Sequence, residues 1–440
     1  MTVPFTRRVR IAAATTMALA LMLSGCAADP TISFSGPEQV DAPLPEETQT
    51  QLNDAITHAM AASGASGAIV GVWVPWSGSW VAGLGTQNGT TPVDESMIFR
   101  VGDVTRLMTC DVLYALADRG IVKVDDSISK YVSGTSNLAD ATLLDLCNGT
   151  AGTGSSSEIL MGSWLQNPQR HWGPKELASA GMDRNAIAPG VEYRDSDAGY
   201  MLLGLALERA SGMTAQELIE EYVAGPLALE KTRLPGWQAV APASKGALKG
   251  HYMPPAEEGG LNCAAPVDIT VSSASIGFTD SGVVSNITDL GRYAQAQAAQ
   301  ALRLKQKPER YGNPRPAYPD APSWLQATGG AVMVGSMVGQ NGWAPGYLTA
   351  TYSDPTTGFT VAVVLNNSSA GTGMVSALAW ELAAIASKAA PADGQTAPEF
   401  GLPFTAEQYH EQIATTAICP IEPPVEEAPP ADDGEESAEG

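Results

Sequence analysis

The chain has 440 residues, 44% of them apolar, with 24 basic and 47 acidic side chains and a formal net charge of −23. It is longer than a usual single domain of about 100 to 200 residues, yet its apolar content supplies a core large enough for one extended α/β scaffold. No basic run exists to neutralise phosphates, which excludes nucleic acid as an electrostatic partner.

Residues 1–26 read as a bacterial export signal. Arg7, Arg8 and Arg10 precede an apolar run over 11–23 that is too short to span a bilayer comfortably. The run ends in Leu23-Ser-Gly-Cys26, which resembles a lipobox, whose cysteine is acylated and becomes the mature N-terminus. An ordinary secretory leader with a chance cysteine is the other reading. Removing the three arginines with a leader takes the charge from −23 to −26. So acidic a protein is repelled by anionic headgroups, and a lipid on Cys26 would supply the attachment instead. Thr6-Arg-Arg8 also permits twin-arginine export. The expected location is outside the cytoplasm, lipid-anchored to the bacterial cell membrane.

The Pro-, Asp- and Glu-rich stretch 27–46 reads as a tether. Leu52, Ala55, Ile56, Ala59 and Met60 then fall at helical spacing, and strands over 68–74 and 79–84 flank the turn Pro75-Trp-Ser-Gly78. A helix over 103–119 ends at Gly120, the position of a C-terminal cap. Further helices are expected over 214–222 and over 288–302, the second begun by the cap-like Asn286-Ile-Thr-Asp289. Strands over 347–353 and 359–365 flank Asp354-Pro-Thr-Thr-Gly358, and a last helix covers 374–388. Strands at both ends of a helical middle predict one α/β (α+β) domain over 47–390, with a helical insertion over roughly 103–290. Residues 391–440 form a C-terminal extension, whose tail carries eight acids and no base from Glu422 to the end and is expected to be disordered.

Apart from Cys26 there are four cysteines, Cys110, Cys147, Cys263 and Cys419, an even number for an oxidising compartment. Three pairings are possible. Cys110 with Cys147 and Cys263 with Cys419 is favoured, with four buried free thiols as the alternative.

Met97-Ile-Phe-Arg-Val-Gly-Asp-Val-Thr-Arg106 resembles the lead-in to the Ser-x-x-Lys helix of the serine β-lactamase and penicillin-binding-protein family, usually written F-R-I-G-S-V-T-K. Other segments follow in the family's order. Asp118-Arg-Gly-Ile-Val-Lys-Val-Asp-Asp-Ser-Ile-Ser-Lys-Tyr131 resembles E-G-K-L-x-L-D-D-P-V-x-K-Y, and Leu143-Leu-Asp-Leu-Cys-Asn-Gly149 stands where L-L-x-H-T-S-G is usual. Pro189-Gly190 with Tyr200-Met-Leu-Leu-Gly204, Ser285-Asn-Ile-Thr-Asp-Leu-Gly-Arg-Tyr293 and residues 339–347 extend the likeness over most of 47–388. The resemblance implies a β-lactamase and transpeptidase-like fold, a mostly antiparallel sheet flanked by helices.

The family chemistry needs a serine Oγ to attack a carbonyl and a lysine or tyrosine to take its proton. At those positions this chain has Asp103 and Arg106. A carboxylate would form a mixed anhydride from an amide, an uphill step, and a guanidinium stays protonated and cannot be a base. The Tyr-x-Asn motif aligns as Asp195-Ser-Asp197, and Gln340-Asn-Gly342 takes the place of His-x-Gly or Lys-Thr-Gly. Trp343 follows where the family has a small residue, and its bulk is expected to crowd the cleft. A literal Ser-x-x-Lys at Ser127 and Lys130 falls in a loop segment, and Ser196 has no lysine or histidine in its motif.

Asp103 and Arg106 lie three apart on one helical turn and can pair, with Asp195 and Asp197 expected across the cleft. A charge-balanced vestigial site is the preferred reading. An acidic pocket for a cationic ligand or hard metal ion is the sharper alternative, which Arg106 opposes by neutralising it. His58, His171, His251 and His410 make no zinc spacing, and there is neither a G-x-S-x-G elbow nor a phosphate-binding Gly-Lys pair, so no cofactor is implied. The expectation is an envelope lipoprotein that has lost acyl-transfer activity and binds cell-wall peptide or another envelope protein. The alternatives are a working hydrolase with an unrecognised nucleophile and a structural protein with a filled cleft.

Overall fold

The computed structural model describes residues 32–421 apart from Ser33, Asn88 and Gln306, together with Met1. The expected leader, the lipobox Cys26 and the acidic tail lie outside the described residues.

Alternation along two neighbouring strands sets up the layers. Strand β1 (Gly67–Val74) pairs antiparallel with a late strand, Thr360–Leu365, with Val70 opposite Val363. Ile69, Ala362 and Val364 face one core, whereas Val70, Val72, Val361, Val363 and Leu365 face the other. A strand buried on both faces in this way needs a helical layer on each side. The full sheet has eight strands: β1, β2 (Gly78–Gly85), β3 (Arg315–Pro316), β4 (Leu325–Thr328), β5 (Ala331–Val334), β6 (Met337–Ala344), β7 (Tyr347–Ser353) and β8 (Thr360–Leu365). Their order is β2-β1-β8-β7-β6-β5-β4-β3, and every neighbouring pair is antiparallel.

One layer is formed by α1 (Glu46–Ser63), α5 (Thr372–Ala386) and α6 (Ala406–Thr415), which bury Leu52 and Ile56, Leu378 and Leu382, and Tyr409 and Ile413. The other contains α2 (Thr105–Asp118), α3 (Asp197–Ser211) and α4 (Ile287–Ala298). α4 comes close to the sheet because residue 291 is glycine: a Cβ there would fall 2.3 Å from the Trp73 ring. Gly120, at φ 76°, follows α2, and its N–H bonds to Ala117 O.

The sequence reading missed four strands in a row, β3 to β6. The apolar runs of β4 to β6 are short and interrupted by glycines. The helices α3 and α6 were also missed, the second lying in the extension ahead of the tail expected to be disordered. The tether is corrected in part: Gln39 Nε2 donates to Val74 O and Gly78 O, both at 3.0 Å, and Leu44 is buried. This segment therefore packs on the domain well before residue 46. Cys110 is bonded to Cys147, and Cys263 to Cys419. The first bond ties α2 to the short helix Leu143–Cys147; the second fastens the segment just past α6.

α2 is also held from within. Asp111 accepts hydrogen bonds from Tyr293 Oη at 2.6 Å and from Arg310 Nη1, and Arg310 Nη2 donates to Leu107 O at 2.7 Å. Arg310 is fully buried. Its carboxylate and carbonyl partners offset the desolvation of its charge.

Candidate functional site

The turn Gly102–Val104 leads into α2 directly beneath β6. Gly102 has φ 57°, and a Cβ on Gly342 would fall 2.0 Å from Asp103 N. Only two glycines permit this approach, which places the start of α2 against the edge of the strand. Asp103 is buried, and the nearby Trp343 backbone N–H is a minor influence favouring its charged form.

Arg106, one turn further along, is the hub of the site. Its Nε donates to Asp280 at 2.7 Å and its Nη1 to Asp195 at 2.5 Å, while Asp103 is 3.8 Å from Nη2. The guanidinium also lies 4.9 Å from the centre of the Tyr200 ring. Burial works against the charge of Arg106, but Asp103, Asp195 and Asp280 together outweigh it and hold the group firmly protonated. Burial pushes the Asp103 carboxyl well above the usual range, with Arg106 opposing, and pushes Asp280 up to about 6. Arg106 thus sits at the centre of the acids, where an added cation would otherwise bind.

Around this cluster is an open cleft of about 310 Å³. Met161, Trp164, Ile276 and Trp343 supply its apolar walls, and Asp103, Arg106, Asp195 and Asp280 its polar end.

The β-lactamase family model matches residues 52–385, most of the chain and all of these elements except α6. The chain belongs to the β-lactamase family. It is 32% identical over 155 residues to the D-alanyl-D-alanine-carboxypeptidase/endopeptidase AmpH of Escherichia coli K12, a match covering 33% of this chain and 38% of that protein. The chain therefore spans well under half the length of this curated relative. Among solved structures, a D-stereospecific amidohydrolase from Streptomyces sp. superposes with a TM-score of 0.62 at 21% identity, covering 74% of this chain and 95% of that one. The octameric penicillin-binding protein homologue from Pyrococcus abyssi gives 0.60 at 20% identity, covering 79% of each chain. At those identities the two structures share the fold.

Set on the β-lactamase fold, the expected site residues separate. Asp103, Arg106 and Asp195 converge as predicted from their motifs, although the Asp103–Arg106 pair is the longest of the contacts to the guanidinium. Asp197 reaches the cleft wall, but its carboxylate is committed to backbone: it accepts from Ser156 N at 2.6 Å, Ser157 N at 2.8 Å and Ala198 N at 2.6 Å. Gln340 is buried; its Nε2 donates to Gly330 O at 2.9 Å and its Oε1 accepts from Asn341 N. Trp343 lines the cleft without plugging it. Its Nε1 donates to Ser368 O at 3.0 Å, and its ring stands 6.3 Å from that of Trp164 as a wall.

The other candidate nucleophiles are structural. Ser196 Oγ donates to Gly154 O and caps α3 through Gly199 N, whereas Ser127 Oγ donates to Ala139 O and Lys130 pairs with Asp126.

Two residues escaped the sequence reading. Asp280 lies on the short turn Phe278–Ser281, pinned to α2 by Thr109 Oγ1 donating to Thr279 O at 2.6 Å. The only available signal was a lone acid among Ile276, Phe278, Val283 and Val284. Tyr193, two positions before the degenerate second motif, lies close enough to feel the charges of Asp195, Arg106 and Asp103. Burial first, and then Asp195, push its phenol above its ordinary value, which disfavours the ionised form a base would need.

Proposed function

We propose that this protein is a lipid-anchored envelope component whose β-lactamase-type domain binds cell-wall peptide without hydrolysing it. The observation that carries the reading is the binding of Arg106 between Asp280 and Asp195. The position that should hold a proton acceptor holds a guanidinium held in its charged form, and the nucleophile position holds a buried carboxyl group. A nucleophile and its base act as a unit, and losing either removes nearly all of the rate acceleration. The open cleft of about 310 Å³ is within the size range of ligand sites, which favours a binding role over a filled one. The anchor at Cys26 and the cell-wall partner belong to the same proposal, motivated by the export signal and by the activity named for the Escherichia coli relative.

Incubating the purified protein with a fluorescent penicillin and weighing it intact tests inertness: the expected mass is that of the unmodified chain, and a stoichiometric adduct would sink the proposal. Calorimetric titration with soluble cell-wall peptides tests binding, for which a saturable isotherm is expected. Fatty-acid labelling in cells, expected to vanish in Cys26→Ser, tests the anchor.

A further inference from the structure

Next to the cleft, and sharing Asp195 and Thr372 with it as a common rim, lies a second cavity of about 440 Å³. Part of it is an addition to the family fold. Gln408, Tyr409 and Gln412 on α6 line it, and they lie beyond the matched residues 52–385. The Cys263–Cys419 bond fastens the chain just past α6. The floor is aromatic and braced: Trp380 meets Trp324 edge-on at 6.2 Å and Tyr409 at 5.1 Å, with Tyr318 half exposed at the mouth.

The polar groups of this cavity are mainly amides and hydroxyls. Asn341 accepts from Tyr352 Oη at 2.8 Å, which leaves its Nδ2 hydrogens for the cavity. Gln408 and Gln412, one helical turn apart on α6, make no side-chain hydrogen bond among the described residues. The lining contains no cation, and Asp195 on the rim is its one acid. An anionic ligand would find no counter-charge here. A purely apolar ligand would leave the amides unmatched. What fits is a neutral molecule with apolar faces and polar edges: a pyranose ring, whose axial C–H bonds lie against indole and phenol faces while its hydroxyl or acetamido groups meet donors and acceptors of Asn and Gln.

We propose that this cavity is a saccharide subsite, sized for one or two neutral sugar rings and built in part by α6. It stands whether or not the neighbouring cleft hydrolyses anything.

Titration of the full protein with tri-N-acetylchitotriose, followed by tryptophan fluorescence and by calorimetry, tests it. Saturable binding at millimolar affinity or tighter is expected, weakened at least about fivefold, near 1 kcal/mol, by Tyr318→Ala and by Gln412→Ala. Both side chains are exposed, so unchanged thermal melts confirm that the variants are folded. Absence of saturable binding, or binding unaffected by both substitutions, overturns the subsite. Sugar binding by a protein that also forms a penicillin adduct would refute the inert cleft and leave the subsite standing.

Discussion

Arg106 donates its Nε–H to Asp280 at 2.7 Å, so the guanidinium that stands where the family keeps a base is held by a carboxylate from another part of the chain. Both groups are buried. A pair of this kind is costly to assemble and costlier to break singly, which makes the Arg106 cluster a structural feature of the fold.

The pairing gives a pH signature. Burial pushes Asp280 up to about 6 from an ordinary 3.8. Between those values the folded protein binds a proton at this site that the unfolded chain has released, so the stability contribution of Asp280 falls as pH rises through that window. Asp280→Asn abolishes the titration. The stability of the variant relative to the unmodified protein should therefore rise between about pH 4 and pH 7, by up to about 3 kcal/mol, and flatten above it. Urea denaturation at each pH measures this. A pH-independent difference would mean that Asp280 is ionised throughout.

The fold was legible because the family's signatures are local words in a fixed order, and Gly102, Asp103 and Arg106 could be placed from one of them. Asp280 could not be. Its partner is 174 residues away, and nothing around it repeats a family motif. The fate of Trp343 was equally hidden, because it depends on Ser368 O being within reach of the indole N–H. Residue size alone suggested crowding; a hydrogen bond turned the ring into a wall.

Restoring the two obvious residues should not restore chemistry. In Asp103→Ser with Arg106→Lys, the new lysine would face Asp280 and Asp195, which favour its charged form. The third motif would still present Gln340, tied to Gly330 O, and no cation. Hydrolysis of a chromogenic cephalosporin is expected to stay at least about 10³-fold below that of an intact relative. Rapid turnover would show that the remaining motifs matter less than their geometry implies.

The contact between β6 and the start of α2 is testable by a single methyl group. A Cβ on Gly342 would lie 2.0 Å from Asp103 N, with backbone on both sides and no flexible side chain to yield. Gly342→Ala should cost at least about 2 kcal/mol in denaturant unfolding. It should also shift the tryptophan fluorescence, since Trp343 follows directly. A neutral result would mean that the strand and the helix lead-in are not pressed together.

The C-terminal helix can be separated from the rest. α6 contributes Tyr409 and Ile413 to the core that α1 and α5 share, and Phe404 meets Tyr409 at 4.9 Å, so it belongs to the folded domain even though it lies past the family match. It is reached through a largely exposed stretch, 390–403, and fastened at its far end by Cys263–Cys419. Replacing both cysteines by serine should lower stability by about 2 to 4 kcal/mol, because the bond closes a loop of 156 residues in the unfolded chain. With the far end freed, opening of α6 alone becomes easier than global unfolding. Limited proteolysis should then cut within 390–403 first and leave a protected fragment containing the sheet. The same variant should lose chitotriose binding, since α6 supplies two of the four amides in the lining, while Arg106, Asp280 and Asp195 remain together. Cleavage scattered through the sheet at the same rate would instead show that α6 and the family fold open as one unit.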